Sequence, residues 1–293
     1  MEIRTLRYFL AVAREENMTK AAQLLHVTQP TLSKQMKALE TELGKKLFVR
    51  HSFSIALTDE GMLLRNRAED LVRMADKIEQ EFVSLDDLSG GQLYLGLAES
   101  VQIRYLAKAI RQFKQEVPSL HYHITSGDTE QIAEQLDKGL LDFVVLAERP
   151  DDKKYLSLAF PEQDRWGLVF PASDPLARKQ SLTINDLTGL PLFCSEQSWT
   201  QEIKEWAADR FEQLHLEGSF RLSYNGSIFA REGLGYLLTF DQLIDTSEQS
   251  GLVFRPLSPA LHTKLFLAWN RYQTFTPVSR RFLEHVRRQF QTQ

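Results

Sequence analysis

Apolar residues recur at helical spacing near the start of the chain and predict two short helices. Leu6, Phe9, Leu10 and Ala13 form one stripe, because residues three and four positions apart share a face of a helix. Thr19 is a candidate N-cap for the second helix, since its hydroxyl can accept a hydrogen bond from a free N–H of the first turn. The start of the chain is therefore expected to be helical.

A third helix is predicted after a short break. Thr28 can cap it, and Pro30 is tolerated in its first turn, where the missing N–H would have no intrahelical partner. Leu32, Met36 and Leu39 are spaced by four and three residues, so one face of this helix should be buried. The opposite face is polar and is expected to remain in solvent.

These short helices and the tight break between them fit a helix-turn-helix, although the spacing alone fits an ordinary helical hairpin equally well. In a helix-turn-helix the start of the second helix enters the major groove, where Gln29 could offer its amide to adenine. Thr31 and Ser33 could contact a base edge or a phosphate, and the nearby basic residues should hold the DNA backbone. The candidate DNA-binding residues are Thr28, Gln29, Pro30, Thr31, Ser33, Lys34, Lys37 and Arg50.

A long helix is predicted from the capping signature at Thr58–Glu60 onward. Its apolar residues alternate steps of four and three, which is typical of a coiled-coil seam. A long amphipathic helix packed on its own domain is the alternative, but pairing between two subunits is the interpretation we prefer. The candidate dimerisation residues are Leu64, Ala68, Leu71, Ala75, Ile78 and Phe82, with Leu85 continuing the pattern.

The rest of the chain alternates predicted strands and helices, which indicates parallel βαβ units. The first strands are expected at 93–98, 120–125 and 143–147, with helices at 105–117 and 129–138 between them. Later strands are expected at 166–170, 192–194, 220–223, 236–240, 252–257 and 265–269, and later helices at 200–213, 226–232 and 277–290. The fold class is therefore α/β overall, after an N-terminal winged helix-turn-helix and a long linker helix.

Composition and charge support two functional regions. The chain has 293 residues, of which 43% are hydrophobic and 25% charged, as in ordinary globular proteins. The net charge of −4 hides an uneven distribution, because residues 1–58 carry nine Lys/Arg against five Asp/Glu, whereas residues 59–88 carry four against nine. A positive head on an acidic body favours DNA binding by the head, although a charge imbalance alone is weak evidence.

The N-terminal sequence and the hydropathy predict a cytoplasmic protein without a membrane partner. No apolar run approaches the ~18 residues of a membrane span, and the charged N-terminal stretch does not have the apolar core of a signal peptide. Cys194 is the one cysteine, so no disulfide can form within the chain.

Residues 2–65 resemble the LysR-type transcriptional regulators. The resemblance is carried by the run LRYFLAVAREEN, by TKAAQLLHVTQPTLSKQMKALETELGKKLFVR and by LTDEG. Over residues 89–293 it is weaker and depends on strand order and on landmarks such as Gly233–Gly235 and Asp174–Ala177. The resemblance implies double-stranded DNA as a partner, a small-molecule effector, and a homodimer or homotetramer as the working form.

The predicted wing, formed by residues 47–49 and 55–57, departs from the family pattern. That hairpin is commonly rich in Arg and Gly, whereas here it continues as His51-Ser-Phe-Ser-Ile-Ala-Leu57. Fewer basic side chains should weaken the contribution of the wing, because each phosphate contact adds ~0.9 to the log–log salt slope of binding.

The resemblance also implies a domain plan. Residues 1–58 are the expected winged helix-turn-helix DNA-binding domain, and 59–88 the linker and dimerisation helix. Residues 89–293 are the expected effector-binding domain, of the type II periplasmic-binding-protein kind. Its subdomain I should take about 89–160 and 266–293, and its subdomain II about 161–265.

The effector cleft is expected beyond the carboxyl ends of the strands, where ligands of open α/β sheets bind. In the family, hydroxyls and helix N-termini in these loops often hold a carboxylate. Each such Ser or Thr could equally be a plain helix cap. Glu99, Asp128, Glu148 and Glu196 lie at the same ends, and would disfavour an anionic effector if they point inward. The candidate effector-binding residues are Ser100, Ser126, Thr129, Ser195 and Asn225.

Other chemistry finds little support. His121 and His123 share one strand face and could bind a metal, but no third ligand is evident, so we expect none. Cys194 could sense redox state, although at a strand end it is more often a small buried residue. The sequence has no phosphate loop, nucleotide fingerprint or nucleophile elbow, so we expect neither a cofactor nor an enzyme. An enzyme or a solute-binding protein built on the α/β region are the rival hypotheses.

Overall fold

The structure, a computed structural model, describes residues 1–51, 54–84 and 90–291, except for the side chains of Arg50 and Ser84. The chain divides into two compact units, Met1–Val83 and Ser84–Gln293. Among the described residues, none of the helices combines the length and the apolar character that a bilayer crossing requires.

The first unit is three helices, a hairpin and a long helix. The elements are α1 (Ile3–Glu15), α2 (Met18–Leu24), α3 (Gln29–Leu43), β1 (Phe48–Arg50), β2 (Ile55–Leu57) and α4 (Asp59–Ser84). Leu6 and Phe9 of α1 and Leu32 and Met36 of α3 are buried in one core. The apolar face predicted for α3 is therefore confirmed, whereas Leu10 and Ala13 of the stripe predicted for α1 are only half-buried. Because Leu32 and Met36 face inward, the polar face of α3 remains outside the core.

The caps decide where the short helices begin. The prediction of Thr19 as the cap of α2 is wrong, because Asn17 holds that position and its Oδ1 accepts hydrogen bonds from the N–H groups of Thr19 and Lys20 at 2.9 and 3.0 Å. Asparagine is among the best N-cap residues, so the helix begins two residues earlier. Thr28 caps α3 as predicted, and Gly44 ends it with a φ of 64°.

The predicted wing is confirmed as an antiparallel pair, in which Phe48 lies opposite Leu57 and Arg50 opposite Ile55. Residues 52 and 53 of the expected wing lie outside the described residues. Glu40 near the end of α3 accepts hydrogen bonds from Lys46 Nζ and from the Leu47 N–H, both at 2.9 Å. Burial acts to raise the pKa of Glu40, but these hydrogen bonds and the Lys46 charge hold it below its ordinary value.

The apolar stripe of α4 has two different environments. Ala68 is fully buried in the core of the first unit, and Leu64 packs against that core. Further along the helix, Leu71, Ile78 and Phe82 are 44%, 45% and 70% exposed. The first turns of α4 are therefore packed on their own domain, as the alternative interpretation had it, and the later turns present apolar side chains to solvent. Leu85 lies outside the described residues.

The second unit contains long strands, several long helices and a few short turns of helix. Its strands are β3 (Gly90–Leu97), β4 (Ser119–Ser126), β5 (Phe143–Leu146), β6 (Tyr155–Pro171), β7 (Pro191–Cys194), β8 (His215–Ser219), β9 (Tyr236–Phe240), β10 (Leu252–Pro256) and β11 (His262–Asn270). Its helices are α5 (Ile103–Glu116), α6 (Thr129–Asp137), α7 (Ile184–Leu187), α8 (Glu196–Ser198), α9 (Lys204–Ala207), α10 (Ser223–Arg231) and α11 (Pro277–Gln291).

One continuous hydrogen-bonded sheet joins these strands in the order β4-β3-β5-β11-β6-β9-β7-β8, with β10 also on β6. Strand β3 is parallel to β4 and β5, and β7 is parallel to β8 and β9, so the predicted parallel units are confirmed. The long strand β6 pairs with β11 up to Arg165 and with β9 from Trp166 onward. Separate apolar cores lie on the two sides of that change of partner.

Several elements differ from the prediction. The strand expected at 166–170 is the end of a longer strand, because β6 runs from Tyr155 to Pro171. The strand expected at 220–223 is wrong, because the strand lies at His215–Ser219 and α10 already begins at Ser223. Parallel pairing with β7 holds the weakly strand-like sequence HLEGS in place, which is a tertiary effect. The single helix expected at 200–213 is instead a π-helical turn at Trp199–Ile203, then α9, then a 3-10 helix from Ala208, whose φ of 50° interrupts the α-helix.

Candidate nucleic-acid interface and ligand cavity

The exposed face of α3 carries most of the predicted DNA-binding residues. Thr28, Gln29, Pro30 and Thr31 are exposed at its start, and Ser33 is half-buried. Lys34 and Lys37 are exposed one and two turns further along. The structure therefore brings these residues together on one solvent-facing surface, while their contact with DNA stays a prediction. The side chain of Arg50 lies outside the described part of the chain.

Two hydroxyls organise the start of this surface. The Oγ1 atoms of Thr28 and Thr31 lie 2.8 Å apart, and Thr28 Oγ1 also accepts a hydrogen bond of 3.4 Å from the Thr31 N–H. Thr28 is thus engaged as the helix cap, whereas the amide of Gln29 next to it is exposed. Gln29 is the better placed of the two to present a hydrogen-bonding edge to a base.

A cavity of about 790 Å³ lies in the second unit, at the carboxyl ends of β3, β5 and β7. Its volume is within the range of small-molecule sites. Its apolar part is formed by Trp166, Leu238, Phe240 and Leu243, together with Phe220. The polar and charged residues of the lining are Glu99, Asp128, Thr129, Glu130, Glu148, Ser195, Glu196, Gln197, Ser198, Thr200, Gln201, Ser219, Arg221, Ser223 and Thr239.

Of the predicted effector-binding residues, Thr129 and Ser195 line this cavity. Ser100 does not, because it is buried and its hydroxyl donates to Asp164 Oδ2 at 2.6 Å. Ser126 and Asn225 are exposed, the first at the end of β4 and the second inside α10, and neither is among the lining residues. Contact of any of these residues with an effector stays a prediction.

Several lining residues were missed by the sequence reasoning. Gln197 donates from Nε2 to Thr129 Oγ1 at 3.2 Å, and Arg221 places Nε 3.6 Å from Asp128 Oδ2. Gln197 lies two residues after the predicted Ser195, so the strand-end rule that selects Ser195 also points to Gln197. Arg221 falls in the segment mistaken for a strand, and therefore no sequence signal pointed to it.

The helix N-termini around the cavity are already capped by the chain itself. Asp128 Oδ1 accepts from the Gln131 N–H at the start of α6 at 2.9 Å. Ser195 Oγ accepts from the Ser198 N–H at the start of α8 at 3.2 Å. Glu99 Oε2 accepts from the Ser223 N–H at the start of α10 at 2.6 Å. One backbone donor at each of these three helix starts is thus engaged by an acceptor of the protein.

Buried ionisable groups lie close to the cavity. Burial raises the pKa of Glu202, and the nearby Glu148 carboxylate raises it further, while Glu202 Oε2 has no hydrogen-bond partner. Burial also raises the pKa of Asp164 to about 6, in spite of hydrogen bonds from Ser100 and Gln102. Burial therefore favours the protonated form of both carboxyl groups.

The alternative sites weighed from the sequence take ordinary structural roles. His123 is exposed on β4, where its Nε2 lies 2.6 Å from Gln92 Oε1 and its ring stacks on Tyr94. The residues that the structure describes contain no cluster of three or more His, Cys, Asp or Glu that could hold a metal ion. Cys194 is fully buried in an apolar core.

A winged helix-turn-helix unit followed by an α/β unit with a ligand-sized cavity defines a ligand-responsive DNA-binding protein. Known proteins agree with this class. A family model described as bacterial regulatory helix-turn-helix protein, lysR family, matches residues 3–62, and one described as LysR substrate binding domain matches residues 86–291. The chain therefore belongs to the LysR family, and it is a LysR-type DNA-binding transcriptional regulator with an effector-binding domain.

The chain is similar to curated relatives and to solved structures, some of them over almost its whole length. The chain is 26% identical to the uncharacterized HTH-type transcriptional regulator YvbU of Bacillus subtilis, over 99% of each protein. It is 31% identical to the DNA-binding transcriptional dual regulator OxyR of Escherichia coli, over 67% of this chain and 64% of OxyR. It is similar in fold to full-length CbnR in complex with its target DNA, with a TM-score of 0.78, 21% identity and coverage of 99% and 100%.

Proposed function

We propose that this protein regulates transcription by reading a promoter through the start of α3 and by binding a small effector in the 790 Å³ cavity. The observation that carries the DNA-reading role is the exposed polar face of α3, opposite the buried Leu32, Met36 and Leu39. A structure related in fold was solved with its target DNA, which supports the same use of this unit here. Gln29 reads base edges, and Lys34 and Lys37 hold phosphates.

The working form is a dimer or a tetramer in which the later turns of α4 pair between subunits. Leu71, Ile78 and Phe82 follow one another at spacings of seven and four residues and are exposed within the first unit. Apolar side chains at this spacing are stabilised when a second helix covers them. Two copies of α3 would then be displayed by one assembly, which matches the two half-sites that helix-turn-helix dimers bind.

The protein acts as a regulator in the cytoplasm and not as an enzyme. The cavity brings together hydroxyls, amides and carboxylates, and Ser219 Oγ donates to Glu196 Oε1 at 2.9 Å. Among the described residues, the lining contains no His, Lys or Cys that could complete a nucleophilic site around this pair. A ligand bound there would be held and sensed. Turnover of a metabolite by the purified protein would contradict this part of the proposal.

The DNA-reading role is tested by fluorescence anisotropy with the promoter upstream of the gene and with a scrambled duplex. We expect Gln29→Ala to weaken promoter binding by 10-fold or more, about 1.4 kcal/mol, with little effect on the scrambled duplex. Lys34→Ala should weaken both and lower the salt slope by about 0.9. Lys153→Ala, an exposed lysine of the second unit, is the matched control. Equal loss on both duplexes for Gln29→Ala would refute its role in base reading.

A further inference from the structure

The cavity has a strongly negative lining. Five carboxylates line it, those of Glu99, Asp128, Glu130, Glu148 and Glu196, against one cation, Arg221. Glu99, Asp128 and Glu148 are half-buried, so their charges are screened less than those of free surface residues. The cavity lies within the region that matches the LysR substrate binding domain, so it is the candidate effector site. The carboxylates of its lining determine the charge of the ligand that it favours.

A carboxylate or phosphate ligand would meet unfavourable charge here. One backbone N–H at the start of each of α6, α8 and α10 already donates to Asp128, Ser195 or Glu99. Among the described residues of the lining, Arg221 is the cation, and its Nε lies 3.6 Å from Asp128 Oδ2. A bound anion would therefore lie among several carboxylates, where like charges repel it.

The remaining features fit a cation that carries an apolar part. Trp166, Phe220 and Phe240 form aromatic surface in the lining, and aromatic faces attract ammonium and guanidinium groups. Leu238 and Leu243 add aliphatic surface beside them. A divalent metal is a poorer candidate, because the described residues bring no three metal-ligating side chains together. The carboxylates are spread around an open volume, which suits a larger, diffuse charge.

We propose that the effector of this regulator is an organic cation, an amine or guanidine with an apolar portion, held by Glu148 and Glu99 on one side and by the aromatic lining on the other. This inference depends on the proposed function, because it assigns a ligand class to the cavity that the function requires. The protein already contains one such contact in this cavity, because the guanidinium of Arg221 lies 3.6 Å from the carboxylate of Asp128.

The test uses three probes of similar shape that differ in charge: phenethylammonium, 3-phenylpropanoate and 2-phenylethanol. Binding to the full-length protein is measured by calorimetry and thermal shift, with probe concentrations up to 10 mM. We expect phenethylammonium to bind at least tenfold more tightly than 3-phenylpropanoate, with 2-phenylethanol between them. The preference should shrink as salt is raised, because part of it is Coulombic.

Variants locate the effect. Glu148→Gln should weaken the binding of phenethylammonium about tenfold and leave the binding of 2-phenylethanol unchanged. Glu130→Gln should weaken the binding of phenethylammonium less, because Glu130 is more exposed than Glu148. Glu248→Gln, an exposed acid outside the lining, is the matched control and should change nothing. Tighter binding of 3-phenylpropanoate would overturn the assignment of a cation, and so would no binding of phenethylammonium at 10 mM.

The promoter assay separates this inference from the proposed function. If 3-phenylpropanoate binds the cavity more tightly than phenethylammonium and changes promoter affinity, the regulatory function stands and the cationic ligand is excluded. If phenethylammonium binds with the expected charge preference but the protein does not select its promoter over a scrambled duplex, the ligand class stands and the regulatory function fails.

Discussion

Glu99 and Ser223 are 124 positions apart in the chain, and the Ser223 N–H donates a hydrogen bond of 2.6 Å to Glu99 Oε2. Glu99 follows β3, whereas Ser223 is the first residue of α10. The carboxylate therefore caps a helix that belongs to a distant part of the sequence. Since both residues line the cavity, this contact ties two of its walls together.

Replacing this carboxylate should loosen the second unit. Glu99→Ala removes a charge-assisted hydrogen bond at a half-buried position, and we expect a loss of about 1–2 kcal/mol in the free energy of unfolding. Such a loss corresponds to roughly 2–8 °C in the melting temperature of a unit of this size. Differential scanning calorimetry of the full-length protein measures it.

Glu99→Gln serves as the control for this prediction. The amide oxygen can still accept from the Ser223 N–H, so the variant should lose clearly less stability than Glu99→Ala. Equal destabilisation by both variants would mean that the charge, and not the hydrogen bond, stabilises the start of α10.

Leu71→Asp should abolish self-association without unfolding the subunit. Leu71 is 44% exposed, so its replacement removes little packing within the first unit, whereas in a paired seam the new carboxylate would be buried against apolar side chains. We expect sedimentation velocity to show monomers and circular dichroism to show unchanged helix content.

Asn66→Asp is the matched control, because it adds the same charge to an exposed position on the opposite face of α4. It should leave the assembly intact. An assembly that survives Leu71→Asp would count against pairing through α4 and would direct attention to other surfaces of the chain.

Much of the fold could be predicted from the sequence because periodicity and capping act locally. Leu32, Met36 and Leu39 are buried as their spacing predicts, and Gly44 ends the helix in a left-handed conformation. The strand β8 could not be predicted in this way, since its sequence becomes a strand only through pairing with β7. The heptad pattern of α4 was also ambiguous, because Ala68 packs on its own domain while Phe82, on the same stripe, is exposed.

The candidate cavity was predictable in position but less so in detail. Strand ends located Thr129 and Ser195 in its lining, because parallel strands place their carboxyl ends along one edge. Ser100 follows the same rule along the chain, yet its hydroxyl is directed to Asp164, which lies in β6. Sequence spacing does not show whether a side chain after a strand points into the cavity or towards another strand. The same orientation decides whether the carboxylates at the strand ends affect a ligand, and Glu99, Asp128, Glu148 and Glu196 do line the cavity.

Stability should fall as pH rises through about 6 because of Asp164. Burial raises the pKa of this carboxyl from 3.8 to about 6, so between these values the folded protein holds a proton that the unfolded chain has released. The favourable contribution is complete well below pH 3.8 and is lost as the pH rises through about 6. Asp164→Asn carries no charge at any pH, and its stability relative to the wild type should therefore grow by about 2 kcal/mol from pH 4 to 7.

Urea unfolding of both proteins at a series of pH values measures this difference. Ser100→Ala is the companion variant, because it removes a hydrogen bond that favours the charged carboxylate and should move the transition to higher pH. A stability difference between Asp164→Asn and the wild type that stays constant from pH 4 to 7 would show that Asp164 does not titrate in this range.

Cys194 should be inert towards peroxide and alkylating agents in the folded protein. The thiolate is the reactive form of cysteine, and burial together with the nearby Glu202 carboxylate raises the pKa of the Cys194 thiol far above neutral pH. The side chain is fully buried, so a reagent also has no direct access to the sulfur. We expect no iodoacetamide adduct by mass spectrometry under native conditions, rapid alkylation in urea, and promoter binding that is unchanged by hydrogen peroxide.

Rapid native alkylation, or peroxide-dependent promoter binding that Cys194→Ala removes, would instead make this thiol a redox sensor. Because that outcome requires the β7 end to open around Cys194, hydrogen exchange of the Cys194 and Ser195 amides would then also be fast.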